Sequence, residues 1–139
     1  GLAPAIGLGI ALSKPDKKVV ALVGDGNMLM SVGTLATIAN IAPKNLTIVV
    51  IDNGCHESTG GQETACTMAA FADIAAASGI SKTAKVDSIE LLSSLFKKYL
   101  SETGTSLIHV KVEKGRMDAA RIKVTPVEMR DRFTSELSG

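Results

Sequence analysis

Tryptophan is absent from this 139-residue chain, and the other large rings are three Phe and one Tyr. So few rings exclude the base-stacking platforms of single-strand nucleic-acid binders. They leave Ile, Leu, Val, Ala and Met to fill a core. An excess of charge of one sign is also lacking: 15 Lys and Arg stand against 14 Asp and Glu, a net charge of +1. That balance gives no footing for nucleic acid or an acidic membrane surface. Only two cysteines are present, Cys55 and Cys66, with no CxxC pair and no zinc spacing. They read as free thiols in a reducing compartment. No apolar stretch reaches the length of a membrane span. The amino end lacks the basic start of a secretory signal, so a cytoplasmic location is expected by default. An initiator Met is lacking too. Gly1-Leu2-Ala3-Pro4 runs straight into helix-like sequence, as expected of a chain that begins inside a larger polypeptide or is a processed piece of one.

What is present suffices for one domain, since 45% of the residues are hydrophobic. Ala5 to Lys14 reads as a buried helix, closed by the Pro15-Asp16 turn signal. Lys18 to Val23 reads as a strand. Met28 to Ala42 has helical apolar spacing, which Gly33 can break, and Pro43 ends it. Leu46 to Ile51 is a near-continuous apolar run of the kind found in central parallel strands. Residues 53–68 are polar, carry glycines and show no period; a loop of that length is usually functional. A small-residue helix is expected from Met68 to Ser78 with Gly79 at its cap, then a strand over Thr83–Val86. Asp87 with Glu90 has capping-box character for a helix reaching Leu100. Leu107 to Val112 reads as a strand, and Pro126 opens a last helix to about Leu137. Strands alternating with helices predict a three-layer open, mostly parallel α/β sheet with helices on both faces.

The chemistry concentrates at Gly24-Asp25-Gly26-Asn27 and at Asn53, 28 residues beyond Asp25. Each group follows the carboxyl end of a predicted strand, and one helix-length segment lies between. That is a strand–helix–strand crossover of roughly 30 residues, with neighbouring strands about 4.8 Å apart. Asp25 and Asn53 can therefore reach one point. A carboxylate, an amide oxygen and glycine-exposed backbone there suit a hard cation carrying a phosphate. Gly24 and Gly26 let the backbone approach. The amides of Asn27 and Met28, opening a helix, can bind anionic oxygens.

GDGN followed at this spacing by Asn resembles the cofactor signature of thiamine-diphosphate enzymes. Within them, the stretches IGLGIAL, GDGNMLM, GTLATIA, PKNL and IDNGCHESTGGQ are similar to phosphonopyruvate decarboxylases and to the beta subunit of sulfopyruvate decarboxylase. The ending with Pro126, Arg130, Arg132 and Phe133 is similar as well. Family members often carry two Asn at the second site, where this chain has Asp52 and Asn53. The resemblance implies one thiamine-diphosphate-binding domain over residues 1–139, with Gly1 as the last glycine of the family's GSMG turn and the first strand before it. It implies Mg²⁺ held by two diphosphate oxygens, Asp25, the Asn53 side chain, the Cys55 backbone carbonyl and water.

It also implies an activity: loss of CO₂ from a 3-sulfo- or 3-phosphono-2-oxo acid, with release of an aldehyde. The Glu that activates the cofactor in this family lies on a pyrimidine-binding domain, for which this chain has no counterpart. A partner subunit or domain is therefore expected, in a hetero- or homo-oligomer. His56 reads as a group facing the substrate's anion or moving a proton, with an exposed loop histidine as the alternative. Ser58 and Gln62 are candidate substrate contacts, whereas Glu57 and Glu63 read as solvated. Met28, Leu29 and Met30 read equally as an apolar wedge under the cofactor or as helix packing. His109, far from the motifs in sequence, reads as structural. Two other functions fit the same residues: an acetolactate synthase-like carboligase component, and a non-catalytic phosphate- or nucleotide-binding α/β module.

Overall fold

The two apolar runs form neighbouring parallel strands in the computed structural model, which describes residues 1–67, 69–115, 120 and 122–138. Helix α1 (Ala3–Ser13) leads into strand β1 (Val19–Gly24), and short helix α2 (Asp25–Met30) follows at once. Helix α3 (Thr34–Ile41) is separate from α2, so the segment breaks around Gly33 as its glycine allows. Strand β2 (Leu46–Asp52) runs beside β1, with Gly24 level with Ile51.

The next segment is where sequence reading and structure differ. Residues 53–67 are not an unpaired loop. Strand β3 (Cys55–His56) pairs antiparallel with β4 (Gln62–Glu63), and single 3₁₀ turns occupy Glu57–Thr59 and Ala65–Thr67. Gly54, at φ 71°, makes the left-handed step that folds this hairpin back. Polar side chains bonded to local backbone hide the period-2 signal in so short a pair.

Helix α4 (Phe71–Ala77), strand β5 (Lys82–Val86), helix α5 (Ile89–Ser101) and strand β6 (Ser106–Lys111) follow. Met68, expected to start α4, lies outside the described residues. The α5 cap is also corrected. Ser88, one residue beyond the expected Asp87, is the N-cap, and its hydroxyl accepts from the Leu91 amide at 3.4 Å. A reciprocal capping box exists instead at helix α6 (Pro126–Ser138). There Glu128 accepts from the Thr125 amide at 2.8 Å, and the Thr125 hydroxyl accepts from the Glu128 amide at 3.3 Å.

The main sheet is parallel throughout, in the order β1-β2-β6-β5. Alternation along β2 divides the core in two. Leu46, Ile48 and Val50 join Leu8, Leu35, Ile38 and Phe71 from the helices on one face. Val49 joins Ile108 and Val110 against Leu92, Leu95 and Phe96 of α5 on the other. This is the three-layer α/β arrangement expected, with helices on both faces. Coverage of the second face stops short of β1, where Val20 and Leu22 are exposed. No helix among the described residues is long and apolar enough to cross a membrane.

Candidate functional site

Because β1 and β2 are adjacent and in register, their carboxyl ends present Gly24-Asp25-Gly26-Asn27 and Asn53 to one cleft of about 390 Å³. Cys55, His56, Glu57 and Ser58 of the hairpin line it as well, with Ile51, Val112, Glu113 and Gly115. Most of the residues expected at a shared site are thus brought together. Gln62 is not among the lining residues. Its amide donates to the Thr59 carbonyl at 3.1 Å, so it folds onto its own turn. Met28 is wholly buried in the core, while Met30 is exposed. Packing therefore accounts for the first.

Asp25 is 3% exposed. Its Oδ2 accepts from the Thr64 hydroxyl at 2.7 Å, which ties α2 to the hairpin. Among the described residues it has no ion pair. A buried carboxylate without a counter-charge is costly, and this one sits at the wall of a cleft. Asn53 Oδ1 accepts from the Cys55 amide at 3.1 Å and keeps a second lone pair. Carboxylate, side-chain amide and backbone carbonyl are hard oxygen donors, so the residues present fit Mg²⁺. They also fit a diphosphate. No side chain caps the amino end of α2, and an added Cβ at Gly24 would meet nothing within 4 Å.

Gly26 behaves differently from the expectation of phosphate clearance alone. A Cβ there would lie 2.5 Å from Cε1 and Nδ1 of His56. The missing side chain makes room for the imidazole, which lies over the GDG turn. Glu57 is exposed, as expected, yet not free: its Oε2 accepts from Asn53 Nδ2 at 3.3 Å and lies 3.1 Å from the Cys55 thiol.

His109 is near the motifs in space although far in sequence. Strand β6 lies against β2 with Asp52 level with Lys111. His109 Nε2 is 2.6 Å and Lys111 Nζ 2.7 Å from Asp52 Oδ2. Burial pushes the Asp52 carboxyl up. The hydrogen bonds from Lys111 and His109 together outweigh that and hold it below the usual carboxylate range. Period-2 alternation puts His109 and Lys111 on one face of β6, but only the strand order shows what that face meets.

One further acid–thiol cluster lies here. Carboxylate oxygens of Asp25 and Asp52 and the Cys66 sulfur are within 4.8 Å of one another. It is poorly suited to a metal, because Asp52 is committed to Lys111 and His109 and burial pushes the Cys66 thiol up to about 11. At pH 8 that leaves about one Cys66 in a thousand as thiolate. Native protein is therefore expected to resist iodoacetamide at Cys66, and quick labelling would contradict this placement. Between the ordinary thiol value of 9.0 and about 11 the folded state holds the proton that the unfolded chain releases. Stability should fall as pH rises through that window, and Cys66→Ala should flatten the fall in urea titrations.

Comparison with known proteins agrees with this geometry. The family described as thiamine pyrophosphate enzyme, C-terminal TPP binding domain, matches residues 1–110. A phosphonopyruvate decarboxylase of Streptomyces viridochromogenes is 41% identical over 134 residues, covering 96% of this chain and 34% of that protein. The chain thus spans about a third of that relative. A sulfopyruvate decarboxylase subunit beta of Methanococcus maripaludis is 37% identical over 137 residues, covering 99% of this chain and 73% of the relative. The crystal structure of benzoylformate decarboxylase from Polynucleobacter necessarius superposes with a TM-score of 0.66 at 26% identity, over 84% of this chain and 24% of that one. A family match over residues 1–110, and relatives 37–41% identical across nearly the whole chain, lead to one conclusion: the chain belongs to the thiamine pyrophosphate enzymes, as their C-terminal, TPP-binding domain.

Proposed function

We propose that this chain is the diphosphate- and Mg²⁺-binding part of a decarboxylase that converts a 3-sulfo- or 3-phosphono-2-oxo acid to CO₂ and an aldehyde. The observation that carries the reading is Asp25, a buried carboxylate with no counter-charge among the described residues, beside Asn53 and Cys55 at the ends of β1 and β2. Asp25, the Asn53 amide oxygen and the Cys55 carbonyl would hold Mg²⁺. Gly24 and the first turn of α2 would take the diphosphate. When bound, thiamine diphosphate supplies the electron sink that allows a carboxyl group to leave beside a carbonyl.

The chain's own part is to bind, orient and exclude water. His56, over Gly26, is placed to meet the substrate's anionic tail or to move a proton. Lys114, between the cleft residues Glu113 and Gly115, adds a cation; its Nζ is 3.1 Å from Glu63. Ser58 is a candidate hydrogen-bond donor at the cleft wall. A pyrimidine-binding subunit or domain supplies the activating Glu. The two cysteines are free, which supports a cytoplasmic setting.

The test is to assay the full-length protein, with and without its pyrimidine-binding partner, on sulfopyruvate, phosphonopyruvate and pyruvate. Sulfoacetaldehyde or phosphonoacetaldehyde should form only with partner, Mg²⁺ and thiamine diphosphate all present. A product that joins two 2-oxo acids would replace this reading with a carboligase. Equal turnover without the partner would remove the need for a second domain.

A further inference from the structure

Asp52 is fully buried at the last position of β2, one residue before the metal-binding candidate Asn53. Its two oxygens do different work. Oδ2 meets both β6 side chains, His109 Nε2 at 2.6 Å and Lys111 Nζ at 2.7 Å. Oδ1 accepts the Gly54 amide at 3.0 Å. That second bond closes a turn around Asn53, and Asn53 Oδ1 closes the next one by accepting the Cys55 amide at 3.1 Å. Two successive side-chain turns thus fix the backbone from Asp52 to Cys55, the stretch that carries the cleft residues Asn53 and Cys55. His109 is itself locked. Its ring is 1% exposed and meets Phe71 edge-on. Its Nδ1 is buried without a partner, so Asp52 is its one polar contact among the described residues.

We propose that Asp52 is a positioning residue for the metal site, oriented by His109 and Lys111 from strand β6 and holding the Asn53–Cys55 turn through the Gly54 amide. The inference rests on the Mg²⁺ reading above. It assigns a purpose to a buried acid, a buried imidazole and a half-buried Lys that the proposed reaction does not otherwise use. The oxygen that anchors the turn and the charge that pairs with β6 are separable. An Asn at position 52 keeps an oxygen for the Gly54 amide and gives up the ion pairs. An Ala gives up both.

The experiment uses the full-length protein with its pyrimidine-binding partner. Mg²⁺ affinity is measured by calorimetry at saturating thiamine diphosphate, and the thermal midpoint is measured without ligands. Asp52→Asn and Asp52→Ala should both lower the midpoint, because both remove the pairing with His109 and Lys111. Only Asp52→Ala should weaken Mg²⁺, by tenfold or more; Asp52→Asn should stay within about threefold, in line with the 10- to 100-fold cost typical of losing a group that orients a metal ligand. Equal losses of affinity in the two variants, or wild-type affinity in Asp52→Ala, would overturn the assignment. Should Asp52→Ala fail to fold, Asp52→Leu, which fills the volume and also lacks the anchoring oxygen, takes its place: tenfold or greater weakening supports the assignment, and unchanged affinity overturns it. If the unaltered protein binds no Mg²⁺, the decarboxylase reading itself falls, and the positioning role falls with it.

Discussion

Asp25→Asn will abolish Mg²⁺-dependent binding of thiamine diphosphate and, in the same stroke, make the ligand-free protein more stable. The two effects have one cause. Asp25 is buried, its hydrogen bond comes from a neutral hydroxyl, and among the described residues no cation pairs with it. An anion held that way is costly until a cation arrives. Asn keeps an oxygen for Thr64 and removes the charge, which should raise the melting midpoint of the empty fold. The same change removes the one negative charge among the proposed Mg²⁺ ligands Asp25, Asn53 and Cys55. Loss of a direct ligand should exceed the roughly 100-fold upper range seen for groups that only orient ligands. Calorimetry reads the affinity, and thermal melts with and without Mg²⁺ and cofactor read the stability. A variant that melts lower than wild type when empty, or that still gains midpoint from Mg²⁺ and cofactor, would show that Asp25 is not the cation's anchor.

Phe71→Ala should carry the largest stability cost of any single truncation near the site. Phe71 opens α4, is fully buried, and shares the first core cluster with Leu35, Ile38 and Leu107. Truncating such a ring costs about 3–5 kcal/mol in transfer and cavity terms. It also removes the edge-on contact with His109, whose ring centroid is 5.2 Å away at 74°; such contacts add about 0.5–1.5 kcal/mol. A domain of ordinary stability has about 5–15 kcal/mol in all. Urea unfolding of the ligand-free protein should therefore show a midpoint drop of about a fifth or more. Phe71→Leu, which keeps most of the volume, should lose about 1.5 kcal/mol or less. A cost under 1 kcal/mol for the Ala variant would mean the helix repacks and that His109 does not depend on it.

The parts of the site made by chain neighbours were legible in the sequence. GDGN and Asn53 each follow an apolar run, and one crossover places consecutive parallel strands side by side. Period, length and turn chemistry are enough for that step. The contribution of β6 was not legible in the same way. Its place between β2 and β5 is a choice of strand order, and apolar alternation is the same whichever neighbour a strand takes. His109 therefore read as remote, although register sets it beside Val50 and sets Lys111 beside Asp52. The hairpin over 55–63 was missed because its two-residue strands carry Cys, His, Gln and Glu, with no apolar face to announce them. Thr64 was missed for a simpler reason. A hydroxyl that meets a carboxylate 39 positions away leaves no local trace.

The outer side of β1 has a practical bearing. Among the described residues this strand pairs on one side only, and Val20 and Leu22 stay exposed beside Phe133 and Leu137 of α6. Open backbone next to bulky aliphatic side chains is a template on which further strands can add. Lys17 and Lys18, at the strand's entry, supply the like-charge repulsion that works against it. Colloidal behaviour should then follow salt and concentration more than temperature. Dilute, low-salt handling keeps the lysines unscreened, whereas concentrated, salty samples invite stacking along this edge.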